Sequence, residues 1–468
     1  MTFPKGATAP TNGKPFPLRF TLPMLLGSAL NPINSSLIAT ALAPIAHGIG
    51  VPLGQTTALV TVLYLATAIA QPTAGKAAEV FGPRRVFLTG IVLVLLGGAL
   101  GGFGQSLLML VIARILIGLG TSCAYPTAML LIRRRATDAG LDRPPGGIMG
   151  ALQTAGIATA SLGLPIGGAL VGAFGWRSVF FVNIPVAAIT LVCALIWVPA
   201  NETRSERLTF ARIARKLDLV GIIAFAAAMT TTLLFLFGLP QANWALIAVA
   251  AALWISMVLR ERRASSPFID VRLLITNRAL SATYLRFGLV MFCIAVLLYG
   301  LTAWLQSAVG VTATAAGLLL LPMTLIGGIV IIPISRRNAV RGPLLWAAGL
   351  SVLAAAATCV LTSGTPLWVV IAITVVFGIV MGASTSGGQS ALYSRAAADQ
   401  FGTASGLFRT FSYIGSIAAT AVTGVVFTNG ASDHGMRTLG LIMLGVTLAA
   451  AALTLGDRTI RRRATPST

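Results

Sequence analysis

Three arginines stand inside long apolar stretches of this chain: Arg114 in 110–132, Arg286 in 282–307 and Arg409 in 402–428. The eleven acidic residues all lie in connecting segments or at the border of an apolar stretch. A lone charge at the centre of a membrane-crossing helix costs about 2.5–3.5 kcal/mol on insertion scales, so such a residue usually faces a cavity or a partner. The chemistry on offer is recognition by positive charge, without a membrane carboxylate to carry a proton. Polar and aromatic groups are scattered through the same stretches: Asn34, Tyr64, Tyr125, Gln153, Tyr299, Trp304, Gln306, Gln389 and Tyr413. One buried Tyr or Gln in a helix bundle more often bonds another helix than a ligand. As a set, together with Arg114 and Arg409, they predict a mixed apolar and polar pocket suited to amphipathic small molecules. Arg409 and Tyr413 are four apart and share a helix face. The stretches hold no cluster of nucleophiles, acids or metal ligands, so no enzyme chemistry, cofactor or metal is expected.

The elements that must position these residues are membrane helices. The chain is 56% hydrophobic and 9% charged over 468 residues, more apolar than a soluble core requires. Apolar stretches long enough to cross a bilayer recur at about 20–46, 55–76, 86–104, 108–132, 147–173, 178–198, 217–238, 242–259, 281–307, 312–334, 342–362, 366–390, 402–428 and 436–456. This predicts an all-α integral membrane protein with fourteen transmembrane helices. The net charge of +22 falls in alternate connections, as in Lys76, Arg84 and Arg85, then Arg133, Arg134, Arg135 and Arg143, then Arg336, Arg337 and Arg341. The connections between hold only Arg177 and Arg437. That alternation satisfies the positive-inside rule and predicts both termini in the cytoplasm. No basic loop is long enough to form a nucleic-acid-binding domain. Cys123, Cys193, Cys293 and Cys359 sit in apolar stretches at no metal-ligand spacing and read as small thiols. The first residues lack a cleavable apolar region, so the first span is expected to act as the targeting signal.

The plan is six, two and six. It comprises a cytoplasmic tail (1–17), a six-helix half (18–198), a linker (199–216), two extra helices (217–259), a cytoplasmic segment (260–280), a second six-helix half (281–456) and a tail (457–468). Transporters built from repeats hold their substrate between the halves near the bilayer midplane. The extra pair, free of buried charge, is expected beside the halves as a spacer. A monomer surrounded by membrane lipid is the expected assembly.

Four local patterns sharpen this. After the second span comes Gly75-Lys-Ala-Ala-Glu79-Val-Phe-Gly82-Pro-Arg84-Arg85, a short charged turn whose carboxylate can meet a neighbouring helix N-terminus when an inner gate closes. The fourth span reads Arg114-Ile-Leu-Ile-Gly118-Leu-Gly120. The fifth carries Gly156, Gly163, Pro165, Gly167 and Gly168, a combination that permits a kink and close helix approach. Gly175-Trp176-Arg177-Ser-Val-Phe180-Phe-Val-Asn183-Ile-Pro185 opens the sixth.

In these patterns the chain resembles the fourteen-helix drug/proton antiporters of the major facilitator superfamily. The resemblance implies a major facilitator fold in a bacterial-type inner membrane and export of drugs or toxic metabolites by alternating access, with protons as the coupling partner. It assigns gating to Gly75, Glu79, Gly82, Arg84 and Arg85 and to Gly163, Pro165, Gly167 and Gly168. It also implies for Arg114 a part in proton transfer or in organising the cavity, while the residue by itself reads equally well as an anchor for backbone carbonyls. One departure stands out. Where the family often has an acid before the proline of an Ala-Leu-Pro-like element in the first span, this chain has Ser35, with Pro44 closing Thr40-Ala-Leu-Ala-Pro. A second reading is therefore a potential-driven exporter of anionic or lipid-like amphiphiles. A membrane enzyme or non-transporting receptor is the reading from another class.

Overall fold

The computed structural model describes residues 16–457 except 52, 57, 142, 201–215, 239–242, 265–266, 312, 398–399 and 429. Among these residues the regular structure is helical, with fourteen helices of fifteen residues or more. In chain order they are α1 (Leu18–Leu37), α2 (Ala58–Phe81), α3 (Pro83–Gly102), α4 (Leu107–Asp138), α5 (Gly146–Phe174), α6 (Asn183–Trp197) and α7 (Leu219–Gly238). There follow α8 (Ala245–Glu261), α9 (Arg278–Val296), α10 (Ala313–Arg336), α11 (Arg341–Thr358), α12 (Leu367–Arg395), α13 (Phe401–Val426) and α14 (Asp433–Gly456). A π-helical turn, Leu297–Leu301, carries α9 on to Ser307. Each predicted apolar stretch falls on one of these helices. Among the described residues, nine helices are long and apolar enough to cross a membrane, or ten if Gly146–Gly163 and Pro165–Phe174 form one bent span. The remainder include α8, with 17 residues, and α13, whose apolar run is interrupted by Arg, Ser and Thr.

Local chemistry sets the helix ends. Ser106, Asp270, Asn277 and Ser432 each accept a backbone N–H of the following first turn through the side chain. Gly82 takes φ +90 and Pro83 opens α3, so the α2–α3 turn needs a residue without Cβ followed by one with fixed φ.

Helices α1–α6 pack among themselves, chiefly α1 on α5, α2 on α4, α3 on α4 and α3 on α6. In the later group α9 packs on α13, α10 on α12, and α11 on α12 and α14. The groups meet along α2–α13 and α5–α10. Helices α7 and α8 pack on each other through Phe225, Trp254 and a Trp254 Nε1 bond to Thr232 Oγ1 of 3.0 Å. The α7 helix also covers the α2–α13 seam from the side. Outward faces are apolar, as with exposed Ile189, Val192, Leu195 and Ile196 on α6, the pattern of a lipid-facing surface.

Several basic turns gather at one end of the bundle, hereafter the basic end. There Arg133 donates to Ala396 O at 3.4 Å, Lys76 to Pro267 O at 3.2 Å, and Gly146 lies against Ser335. The basic residues predicted at 204–215, Lys5 and Lys14, the tail arginines from 458 on, and the turn around Pro240 lie outside the described residues.

Candidate functional site

The two helical groups touch mid-bundle through polar and aromatic side chains. Arg409 sits two turns into α13, about 12 Å along its axis. Its guanidinium carbon lies 4.1 Å from the centre of the Tyr125 ring on α4, a cation–π stack. Tyr125 donates its hydroxyl to Gln389 Oε1 on α12, and Gln389 Nε2 reaches Met129 Sδ at 3.4 Å. One turn beyond Arg409, Tyr413 donates to Asn31 Oδ1 on α1 at 2.6 Å, and its ring centre is 6.1 Å from that of Tyr64. Asn31 Nδ2 in turn donates to Thr121 Oγ1 at 2.8 Å and Thr67 Oγ1 at 3.3 Å. Tyr299, in the π-helical turn, interacts with the Tyr64 hydroxyl. Seven residues from five helices and the π-helical turn thus close a layer between the groups.

That layer has unsatisfied atoms. Among the described residues Arg409 has no carboxylate partner, and its Nε has no hydrogen-bond acceptor. Gln71, 2% exposed and within hydrogen-bonding reach of Tyr413, leaves Oε1 without a donor. On α5, Gln153 Oε1 and Thr154 Oγ1 are likewise buried without partners. Buried polar groups are nearly always bonded, so Arg409 Nε and Gln71 Oε1 stand out within the central layer.

Arg114 has different surroundings. It is 2% exposed, and its Nε donates to Leu59 O at 3.0 Å while both terminal nitrogens donate to Asn34 O at 3.2 Å. Asn34 Nδ2 donates to Leu30 O at 2.8 Å and Asn183 Oδ1 at 2.6 Å. Asn183 itself ties back to Val179 O and Phe180 O. The arginine pattern of α4 and the Asn-x-Pro pattern of α6 therefore converge on α1. Arg286 lies 3.9 Å from Asp457, which Arg395 also holds at 2.9 Å. Asp457, assigned to the tail from sequence, is buried.

Below the central layer the groups close against each other at the basic end. Glu79 accepts from Thr403 N at 2.8 Å and Thr403 Oγ1 at 3.1 Å, in the first turn of α13, the helix N-terminus expected for this carboxylate. The seam has no room for side chains: a Cβ on Gly75 would meet Thr403 N at 2.6 Å, one on Gly402 would meet Gly75 O at 2.7 Å, and one on Gly406 would meet Pro72 Cα at 2.6 Å. Arg133 stacks on Tyr393 and Phe401 at 5.0 and 4.6 Å. Beside the seam Arg260 binds Asp218 and Glu261, with Glu261 Oε1 at 2.6 Å. These carboxylates accept from Phe268 N at 3.0 Å and Ile269 N at 3.2 Å, which fixes the strap after α8.

Of the residues singled out from sequence, Tyr64, Tyr125, Tyr299, Gln389, Arg409 and Tyr413 meet in the central layer. Asn34 and Arg114 form the α1–α4–α6 anchor. Trp304 bonds Asp433 Oδ1 at 2.9 Å near the opposite end, where Gln306 is exposed. Gln153 is buried on α5. Arg84 donates to Leu195 O at 2.7 Å and Arg85 is exposed. Gly163 and Gly167 press on Ser36 and Thr40 of the first span, Pro165 sits at the 45° bend, and Gly168 faces open space. Sequence reasoning passed over Asn31 as a site residue and missed Gln71. Gln71 follows Tyr64 by seven, on one helix face, which was the available signal.

Two helical groups joined across a polar layer, with a closed seam at one end, define a polytopic membrane transporter. The chain belongs to the major facilitator superfamily, whose family model matches residues 24–420. It is a transporter and not an enzyme. It is 31% identical over 428 residues to the uncharacterised MFS-type transporter YwoD of Bacillus subtilis, covering 89% of this chain and 92% of that protein. It is 28% identical over 444 residues to the tetracenomycin C resistance and export protein of Streptomyces glaucescens, covering 90% and 77%. The crystal structure of the human organic anion transporter MFSD10 superposes with a TM-score of 0.67 at 17% identity, over 93% of this chain and 99% of that one.

Proposed function

We propose that this protein is a fourteen-span exporter of amphipathic small molecules, drugs or toxic metabolites, working by alternating access in a bacterial-type inner membrane. Both termini and the basic end face the cytoplasm, and the chain divides into two six-helix halves with α7 and α8 between them. The observation that carries the reading is the central layer of Tyr64, Tyr125, Gln389, Arg409 and Tyr413, shared by both groups and bounded on one side by the Glu79–Thr403 seam. Rocking the groups apart on one face while they close on the other exposes that layer alternately. The Streptomyces glaucescens relative, named for resistance and export, supports the outward direction. Coupling is to protons, as the resemblance implies. With no carboxylate in the apolar stretches, the exchangeable proton sits on a border carboxylate: Glu79, Asp218 or Glu261.

The topology is tested by single-cysteine labelling in a background without the four native cysteines. Tags at Gly54, Gln241 and Ser432 should react from outside, and tags at Thr137, Ser205 and Ala397 only after permeabilisation. An inside signal at Gln241 would remove the two-helix insertion. Export is tested by resistance of expressing cells to amphipathic toxicants, abolished by an uncoupler.

A further inference from the structure

The central layer carries more information than its position. Its only ionic group is the Arg409 guanidinium, held over the Tyr125 ring with Nε unpartnered and no carboxylate paired with it among the described residues. Within hydrogen-bonding reach of Tyr413 lies Gln71, whose buried Oε1 is an acceptor without a donor. A donor with positive charge and an acceptor, each with an unpartnered atom, thus stand beside the tyrosines of the layer. The complement of that surface is a flat body bearing an anionic group and a separate O–H or N–H. A lipophilic cation fits badly: it would stand beside an uncompensated guanidinium, with no acid within the apolar stretches to offset the repulsion.

Resting on the exporter reading, we infer that the substrate class is amphipathic organic anions that also carry a hydrogen-bond donor. Arg409 binds the anion, Gln71 accepts the donor, and the tyrosines take the apolar body. Neither Arg114 nor Arg286 shares the anion, because the first is bound to the backbone carbonyls of Leu59 and Asn34 and the second lies 3.9 Å from Asp457. The planar guanidinium matters, since Arg and Lys differ in how they hold an anion while stacked on a ring.

The test uses the purified full chain in proteoliposomes loaded with one of three fluorescent probes: 6-hydroxynaphthalene-2-sulfonate, naphthalene-2-sulfonate or ethidium. Release above that of protein-free vesicles is measured. The wild type should release the hydroxy-sulfonate several-fold faster than the plain sulfonate, and both at least tenfold faster than ethidium. Arg409→Gln should slow both sulfonates at least tenfold, with Arg409→Lys between, while ethidium release does not fall. Gln71→Leu should abolish only the preference for the hydroxyl. The wild-type ratios stand without any variant, so a misfolded substitution does not blunt the test. Wild-type vesicles that release ethidium as fast as the sulfonates overturn the inference and leave export standing. Release of none of the three counts against export itself.

Discussion

The guanidinium of Arg114 lies among carbonyls of α1 and α2, while that of Arg409 lies on a ring with one nitrogen bare. The first arrangement is a fastener: three donors tie α4 to Leu59 O and Asn34 O, and burial makes each bond hard to replace with water. Arg114→Ala should therefore lower stability by at least about 2 kcal/mol, since even one charge-assisted bond is worth about 1.5–3 kcal/mol. Arg409→Gln should change stability little. Thermal unfolding in detergent distinguishes them, and an Arg114→Ala protein of unchanged stability but lost transport would return Arg114 to the substrate site. In sequence the two arginines look alike, each a lone cation in an apolar stretch. What separates them is which face of which helix meets them, and that depends on partners 55 to 80 residues away for Arg114. The same limit explains Asn34 and Asn31. Three residues apart on α1, one bonds Asn183 within its own group, and the other bonds Tyr413 across the interface.

At the scale of elements, the helices were legible because apolar length and alternating basic turns are local properties of the chain. The glycine and proline pattern of α5 likewise announced close packing, and its partner proves to be the first span at Ser36 and Thr40. The α2–α13 seam was not legible, since Gly75 and Gly402 lie far apart in sequence and each alone is only a small residue in a helix. The strap after α8 escaped notice for a related reason: Asp218 and Glu261 look like ordinary border charges until Arg260 joins them. Burial, then a shared hydrogen bond and repulsion from Asp218, push the Glu261 carboxyl up to about 7 from an ordinary 4.5. A carboxyl raised on folding contributes stability while protonated. That contribution is complete below about 4.5 and is lost as pH rises through about 7. As far as Glu261 holds the strap, it should therefore hold more firmly below about pH 7 than above it. Hydrogen exchange at the Phe268 and Ile269 amides should accelerate between pH 6 and about 8 beyond its intrinsic pH dependence, and Glu261→Gln should flatten that excess. A wild-type excess that Glu261→Gln leaves in place would show that Glu261 does not control the strap.

For the whole molecule, charge is arranged along the bundle axis. The basic end gathers many of the cations behind the +22 net charge, the apolar stretches hold arginines without acids, and the central layer offers one guanidinium. An inside-negative membrane potential drives an anion outward, by about 2.3 kcal/mol per unit charge per 100 mV. At roughly 1.4 kcal/mol per factor of ten, that corresponds to a concentration ratio of about fifty. Proton entry exchanged for anion exit moves positive charge inward in both steps, so potential and pH gradient act in the same direction. An exporter of cations would have the opposite problem, working against the potential unless protons outnumbered the substrate charge. With valinomycin and an outward potassium gradient, wild-type proteoliposomes loaded with 6-hydroxynaphthalene-2-sulfonate should release it several-fold faster than vesicles without a potential. Reversing the potassium gradient should slow release below the unpolarised rate. A rate indifferent to the sign of the potential would mean that no net charge crosses with the substrate, so a cation moving with the anion, or a second anion moving the other way, would have to balance its charge.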